Sequence, residues 1–143
     1  MTYNFDGDNY LVRLEKGEKL GECLDKFMSE TKIEGGWVNG IGAANEITIG
    51  LYQPEAKDYK WKTFNEQMEI TALVGNLAHG ADGKMMFRLH GTFGDKSFQT
   101  FSGHVKDFLV TATLELFVHR AYQPMHRKFD EATGLQLLDL DHE

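Results

Sequence analysis

Cysteine, long apolar runs and positive charge are all scarce in this sequence. Cys23 is the only cysteine among 143 residues, which excludes an internal disulfide and every multi-cysteine metal site. No apolar run approaches the roughly 20 residues that a membrane-spanning helix needs. Residues 1–6 lack the basic start and the apolar stretch of a secretory signal. We therefore expect a cytoplasmic protein that makes no membrane contact.

The scarcity of positive charge argues against direct contact with nucleic acid. Lysine and arginine total 15 against 22 aspartates and glutamates, which gives a formal net charge of −7. Such a balance repels phosphate backbones on average. The densest basic run, residues 57–62, has the spacing of a solvated strand face. The composition therefore gives direct DNA binding little support.

The remaining composition is that of an ordinary globular protein, with 41% hydrophobic and 26% charged residues. A length of 143 residues matches the usual size of one domain. The chain shows no internal repeat, low-complexity tract or linker. We therefore predict a single domain over residues 1–143.

One helical pattern occupies residues 18–31, where apolar side chains recur on a single helical face. The members of this stripe are Leu20, Cys23, Leu24, Phe27 and Met28. The stripe should pack on a sheet, with Cys23 as a buried and unreactive thiol. Two consecutive glycines, Gly35 and Gly36, should end the helical segment because glycine has low helix propensity.

Strand patterns dominate the rest of the chain. They fall at residues 10–14, 37–39, 46–52, 59–64, 68–77, 84–93, 98–104 and 109–118. Most connections between them are too short for crossover helices. The tail should turn at residues 130–134 and dock a short apolar segment. We predict an α+β fold with a largely antiparallel sheet.

No complete catalytic motif occurs. The run from Gly40 to Asn45 lacks the third glycine of a dinucleotide loop and precedes a strand pattern, so its glycines favour a bend or close backbone packing. A nucleophile elbow and a phosphate-binding loop are both missing from the sequence. Nucleophilic hydrolase and nucleotide phosphatase mechanisms therefore lack support, and the balance is against an enzyme.

The most suggestive polar residues are Arg88, His90 and His104, on two successive strand patterns. Arg88 and His90 share a strand face because they are two residues apart. A hairpin loop of residues 95–97 would pair His90 with position 102 and Arg88 with His104, which puts all three side chains on one face. A loop shorter by one residue would move His104 to the opposite face. Both registers, and both a structural and a metal-binding role for the histidines, remain open at this point.

Four segments resemble the PPC (plant and prokaryote conserved) domain family, and the similarity covers residues 10–138. They read Arg13-Leu14-Glu15-Lys16-Gly17-Glu18, Gly36-Trp37-Val38-Asn39-Gly40-Ile41-Gly42-Ala43, Met68-Glu69-Ile70-Thr71-Ala72-Leu73-Val74-Gly75-Asn76 and Phe101-Ser102-Gly103-His104. The resemblance implies an α+β domain with about seven antiparallel strands flanked by helices. It also implies a homotrimer.

The resemblance implies a metal site in prokaryotic members, built from a His-x-His pair and a third histidine. His90 and His104 match the second and third of these, whereas Arg88 stands at the first. A guanidinium cannot ligate a metal because it is cationic and has no available lone pair. Arg88 beside two histidines favours a small anion. The alternative is zinc held by His90 and His104 with a further ligand.

The leading hypothesis is a trimeric module for protein association or ligand sensing, linked to transcriptional regulation through partners. Plant relatives carry AT-hooks that bind the DNA minor groove, but this chain has no Arg-Gly-Arg-Pro core. The alternative hypothesis is an enzyme, metal-dependent or anion-binding, at a cleft formed by His90 and His104. Glu69 or Glu115 would then serve as acid or base.

Overall fold

The computed structural model describes residues 1–142, and these form nine strands and one helix. In chain order they are β1 (Thr2–Phe5), β2 (Asn9–Glu15), α1 (Leu20–Thr31), β3 (Gly36–Gln53), β4 (Asp58–Phe64), β5 (Met68–His79), β6 (Met85–Gly94), β7 (Thr100–Arg120), β8 (Arg127–Asp130) and β9 (Leu135–Leu138). No helix among the described residues is long and apolar enough to cross a membrane.

Seven strands form one antiparallel sheet in the order β1-β2-β7-β6-β5-β3-β4, as the resemblance implied. An additional pairing joins β3 to β7. This pairing connects both ends of the series β7-β6-β5-β3, so these four strands close into a ring. The inner face of the ring packs the core, and its outer face is largely free of cover by this chain.

The helix covers part of the core with the predicted apolar stripe. All five stripe residues are buried, and Phe27 is fully enclosed. Burial also raises the pKa of the Cys23 thiol, which lowers its reactivity at neutral pH. The helix ends at Thr31, as the pattern predicted, but Lys32 rather than the glycine pair ends it, because Lys32 takes the left-handed conformation (φ 55°) and its N–H donates to Met28 O.

The predicted fold class was wrong. Strands contain 63% of the residues and the helix only 8%, so the protein is mostly β rather than α+β with helices flanking a sheet. Two pairs of predicted strands are single long strands, β3 and β7. Local shifts in pairing, as between Asn45 and Thr48, let each strand bend without ending. No second helix therefore arises to flank the sheet within residues 1–142.

The C-terminal segment forms the β8–β9 hairpin around the predicted turn. Asp130 accepts hydrogen bonds from the Thr133 N–H and hydroxyl, which fixes the turn. The hairpin is also held by stacked imidazoles, since the His126 ring lies 4.9 Å from His79 and 3.7 Å from His142 between centroids. The tail is thus docked against the end of β5.

Candidate anion site

The connection between β6 and β7 sets the register of the predicted site. Residues 95–99 form the loop, and the Asp95 carboxylate accepts bonds from the Ser97 and Gln99 N–H groups. His90 pairs directly with His104, not with Ser102 as a loop of residues 95–97 would require. Neither register left open by the sequence is the one found, and the observed pairing is shifted by two residues from that of the three-residue loop. Because this shift is even, Arg88, His90 and His104 share the outer face.

The two histidines contact each other at right angles, with ring centroids 5.6 Å apart. His104 also stacks on Tyr59 at 4.6 Å, and its buried Nδ1 has no hydrogen-bond partner among the described residues. Burial, followed by the charges of His90 and Arg88, lowers the pKa of His104 to about 4. Burial and Arg88 lower the pKa of His90 as well. Both imidazoles are therefore largely neutral at pH 7.

Arg88 and His90 line a cavity of about 360 Å³ on the outer face, whereas His104 lies beside it. The cavity is formed by β3, β5, β6 and the C-terminal hairpin. Its remaining lining residues are Trp37, Val74, Gly75, Asn76, Arg127 and Leu138. Of the predicted cluster, Arg88 and His90 thus lie in one cavity, whereas His104 stacks on Tyr59 next to it.

Arg127, from β8, is a second cation of the cavity that sequence analysis missed. Its side chain is 5% exposed, and it donates from Nη1 to Gln136 O at 2.9 Å and from Nη2 to Asn76 Oδ1. Asn76 is the cross-strand partner of Arg88. Burial and the charge of Arg88 lower the pKa of Arg127. Nothing local in the sequence marks Arg127, because its position depends on where the hairpin docks.

Neither guanidinium is neutralised within residues 1–142. Arg88 and Arg127 form no salt bridge there, and the buried Arg127 Nε has no hydrogen-bond partner. Two neighbouring cations in a partly buried cavity are unfavourable unless a negative charge compensates them. The cavity therefore has the electrostatics of an anion site.

By themselves, the described residues do not complete a zinc centre. Within the described chain, no group of three or more histidine, cysteine, aspartate or glutamate side chains could hold a metal ion. His90 and His104 supply two ligands, and catalytic zinc sites usually have three from the protein. Neither Glu69 nor Glu115 lines the cavity, so the acid or base considered for an enzyme is not placed there.

A second feature of the outer face is a set of exposed apolar side chains, here called the apolar face. It comprises Leu11, Trp37, Ile41, Val74 and Phe117, each between 42% and 58% exposed. Strand pairing puts them together, because Phe117 lies opposite Leu11 on one side and Asn39 on the other. The apolar face borders the anion cavity, since Trp37 and Val74 belong to both.

Comparison with known proteins identifies relatives of this architecture. Residues 1–121 match the model of the Plants and Prokaryotes Conserved (PCC) domain. A crystal structure from Bacteroides thetaiotaomicron, provisionally named a DNA-binding protein, is 30% identical with a TM-score of 0.93. That match covers 99% of this chain and 98% of the other. A search of curated proteins found no significant match.

Two archaeal structures are also similar. A metal-containing protein of Archaeoglobus fulgidus is 30% identical, with a TM-score of 0.84 over 96% of this chain and 98% of its own. A plant- and prokaryote-conserved protein of Pyrococcus horikoshii is 27% identical, with a TM-score of 0.85 over 96% and 94%. The Arg127 position lies beyond the residues that the family model matches.

Proposed function

Because the chain belongs to the Plants and Prokaryotes Conserved domain family, we propose that it is a self-associating module that binds a small anion at Arg88 and His90. The observation that carries this proposal is the cavity in which Arg88 and Arg127 lie without a carboxylate partner among the described residues. A carboxylate or phosphate group fits the forked donors of a guanidinium. Neutral His90 adds a hydrogen-bond donor without adding charge.

Self-association is supported by the apolar face. A contiguous apolar patch on a protein surface is typical of a protein contact site. The resemblance to PPC domains implies a homotrimer, and the apolar face offers the surface that such an assembly would cover. Because Trp37 and Val74 belong to both features, anion binding and assembly are neighbouring events. In this proposal the module signals ligand binding to protein partners, in keeping with a regulatory role in transcription.

A zinc-dependent enzyme is the alternative, and the metal-containing relative from Archaeoglobus fulgidus is the observation in its favour. Arg88 weighs against it, because its positive charge lies where the resemblance places the first of the three histidine ligands. Direct DNA binding is less favoured still, since the net charge of −7 opposes phosphate contacts. The provisional name of DNA-binding protein describes the relative from Bacteroides thetaiotaomicron and is not carried over to this chain.

Calorimetric titration with inorganic phosphate tests the proposed anion site. Arg88→Gln should weaken phosphate binding about tenfold or more, because hydrogen bonds to charged groups contribute about 1.5–3 kcal/mol each. Lys96→Gln is the matched control, as it removes one exposed positive charge from the β6–β7 loop outside the cavity. Equal effects of both substitutions, or no phosphate binding by the native protein, would contradict the proposal.

A further inference from the structure

The C-terminal hairpin contributes two walls of the anion cavity that the family match does not include. Arg127 comes from β8 and Leu138 from β9, whereas the match ends at residue 121. Arg127 is held in place at both Nη atoms, by Gln136 O and by Asn76 Oδ1. A guanidinium that is fixed in advance loses little conformational entropy when it binds a ligand. The hairpin therefore presents a pre-organised cation to the cavity.

Arg88 and Arg127 line the same cavity, and their two positive charges determine the charge of a suitable ligand. Burial, followed by the charge of Arg88, lowers the pKa of Arg127. Asn76 accepts a bond from Arg127 and is the cross-strand neighbour of Arg88. A ligand with one compact anionic group can approach both guanidiniums. Phosphate, with more than one negative oxygen, suits two such forks better than a neutral polar group does.

The rest of the cavity determines the body of the ligand. Trp37, Val74 and Leu138 are the apolar side chains of its lining. The Trp37 side chain is 55% exposed, although it lies beside two cations. An exposed indole at a charged site is suited to stacking against a flat ring. The cavity thus combines an anion clamp with a flat apolar wall.

We infer that the hairpin completes the site, and that its ligand is a small aromatic anion, a phosphate or carboxylate joined to a flat ring. This inference rests on the proposed anion site and specifies its ligand class. Arg88 and Arg127 hold the anionic group, and Trp37 and Leu138 contact the ring. The volume of about 360 Å³ suits a ligand with one or two rings.

Inorganic phosphate and phenyl phosphate, titrated into the full chain, test this assignment. Phenyl phosphate should bind about tenfold more tightly, because stacking of its ring on the Trp37 indole adds affinity beyond that from the area it buries. Trp37→Ala should remove that advantage and leave inorganic phosphate unchanged. Leu51→Ala is the control, since Leu51 is exposed on the same strand, β3, outside the cavity. Because Trp37 also belongs to the apolar face, native mass spectrometry of each variant measures its oligomeric state, and affinities are compared only between proteins in the same state.

Arg127→Gln should weaken both ligands about tenfold, and Arg127→Lys should restore part of the loss because it returns the charge without the fork. If the Arg127 variants do not fold, the comparison of Trp37→Ala with the native protein alone decides whether the ligand is an aromatic anion. Phosphate binding that depends on Arg88 but shows no phenyl advantage and no effect of Arg127 would overturn this inference and leave the proposed function standing. Failure of both phosphates to bind would overturn both this inference and the proposed function.

Discussion

Arg88 determines the chemistry of the outer face, because it is a cation beside two neutral imidazoles. Direct pairing of His90 with His104 puts position 88 one step along the same face from both rings. Replacing that guanidinium removes a repulsive charge and frees a ligand position. The choice between an anion site and a metal site therefore depends on one side chain.

Arg88→His should raise zinc affinity, because three imidazoles would then share one face at the spacing of the resembled family. Competition with a chromophoric zinc chelator measures the change, and Arg88→Gln serves as the control that removes the charge without adding a ligand. We expect at least about a tenfold gain for histidine over glutamine, comparable to other single changes at metal sites. An equal zinc affinity of the two variants would contradict the geometry assigned to position 88.

The lowered pKa of His104 predicts that the protein loses stability in mild acid. Its pKa is lowered in the folded state to about 4, so between pH 6.5 and about 4 the unfolded state binds more protons than the folded state. The free energy of unfolding should therefore be intact above pH 6.5 and fall as the pH decreases through this window. His90 and His126, whose pKa values are also lowered, add to the same slope.

His104→Phe separates this contribution, because phenylalanine keeps a ring against Tyr59 and does not titrate. Denaturant unfolding at a series of pH values should show a smaller decrease between pH 6.5 and 4.5 in the variant than in the native protein. The same decrease in both proteins would mean that His104 is already protonated in the folded state at pH 5, against its burial.

At the scale of elements, the close pairing of β3 with β7 depends on glycines at the contact positions. A Cβ at Gly42 would lie 2.2 Å from Thr113 O, whereas one at Gly94 would meet only Thr71 Cγ2 at 3.8 Å. We predict that Gly42→Ala destabilises the protein by about 3 kcal/mol, since backbone must move, and that Gly94→Ala changes stability by less than about 1 kcal/mol. Urea denaturation of both variants measures this, and equal effects would contradict the close approach of the strands.

The sequence predicted those elements whose pattern is local. Residues 18–31 showed the helix because its stripe repeats with the helical period, and the glycines at 40 and 42 indicated close packing that the β3–β7 contact confirms. The predicted breaks inside β3 and β7 were wrong, because pairing with neighbouring strands lets a bulged strand continue through residues with a turn-like sequence. Lys32 likewise ends the helix without glycine, since a single residue other than glycine can adopt the left-handed conformation at a helix terminus.

At the scale of the molecule, the site was predicted in part. Parity placed Arg88, His90 and His104 on one face despite the wrong register, since an error of two residues leaves the face unchanged. Arg127 could not be predicted, because the docking of the hairpin on Asn76 depends on contacts between residues distant in sequence. The apolar face could not be predicted either, because alternation in a strand sequence does not show which face of the sheet is left uncovered.

A compact anion site adjoins an uncovered apolar face in this protein, and native mass spectrometry with elemental analysis of the purified protein tests both together. We predict a trimer that contains no stoichiometric zinc and retains, or readily takes up, a small anion at each subunit. Supplied phenyl phosphate should appear as one added mass per subunit, and Arg88→Gln should lose it. A trimer with about one zinc per subunit and no retained anion would contradict the account and favour metal-dependent chemistry.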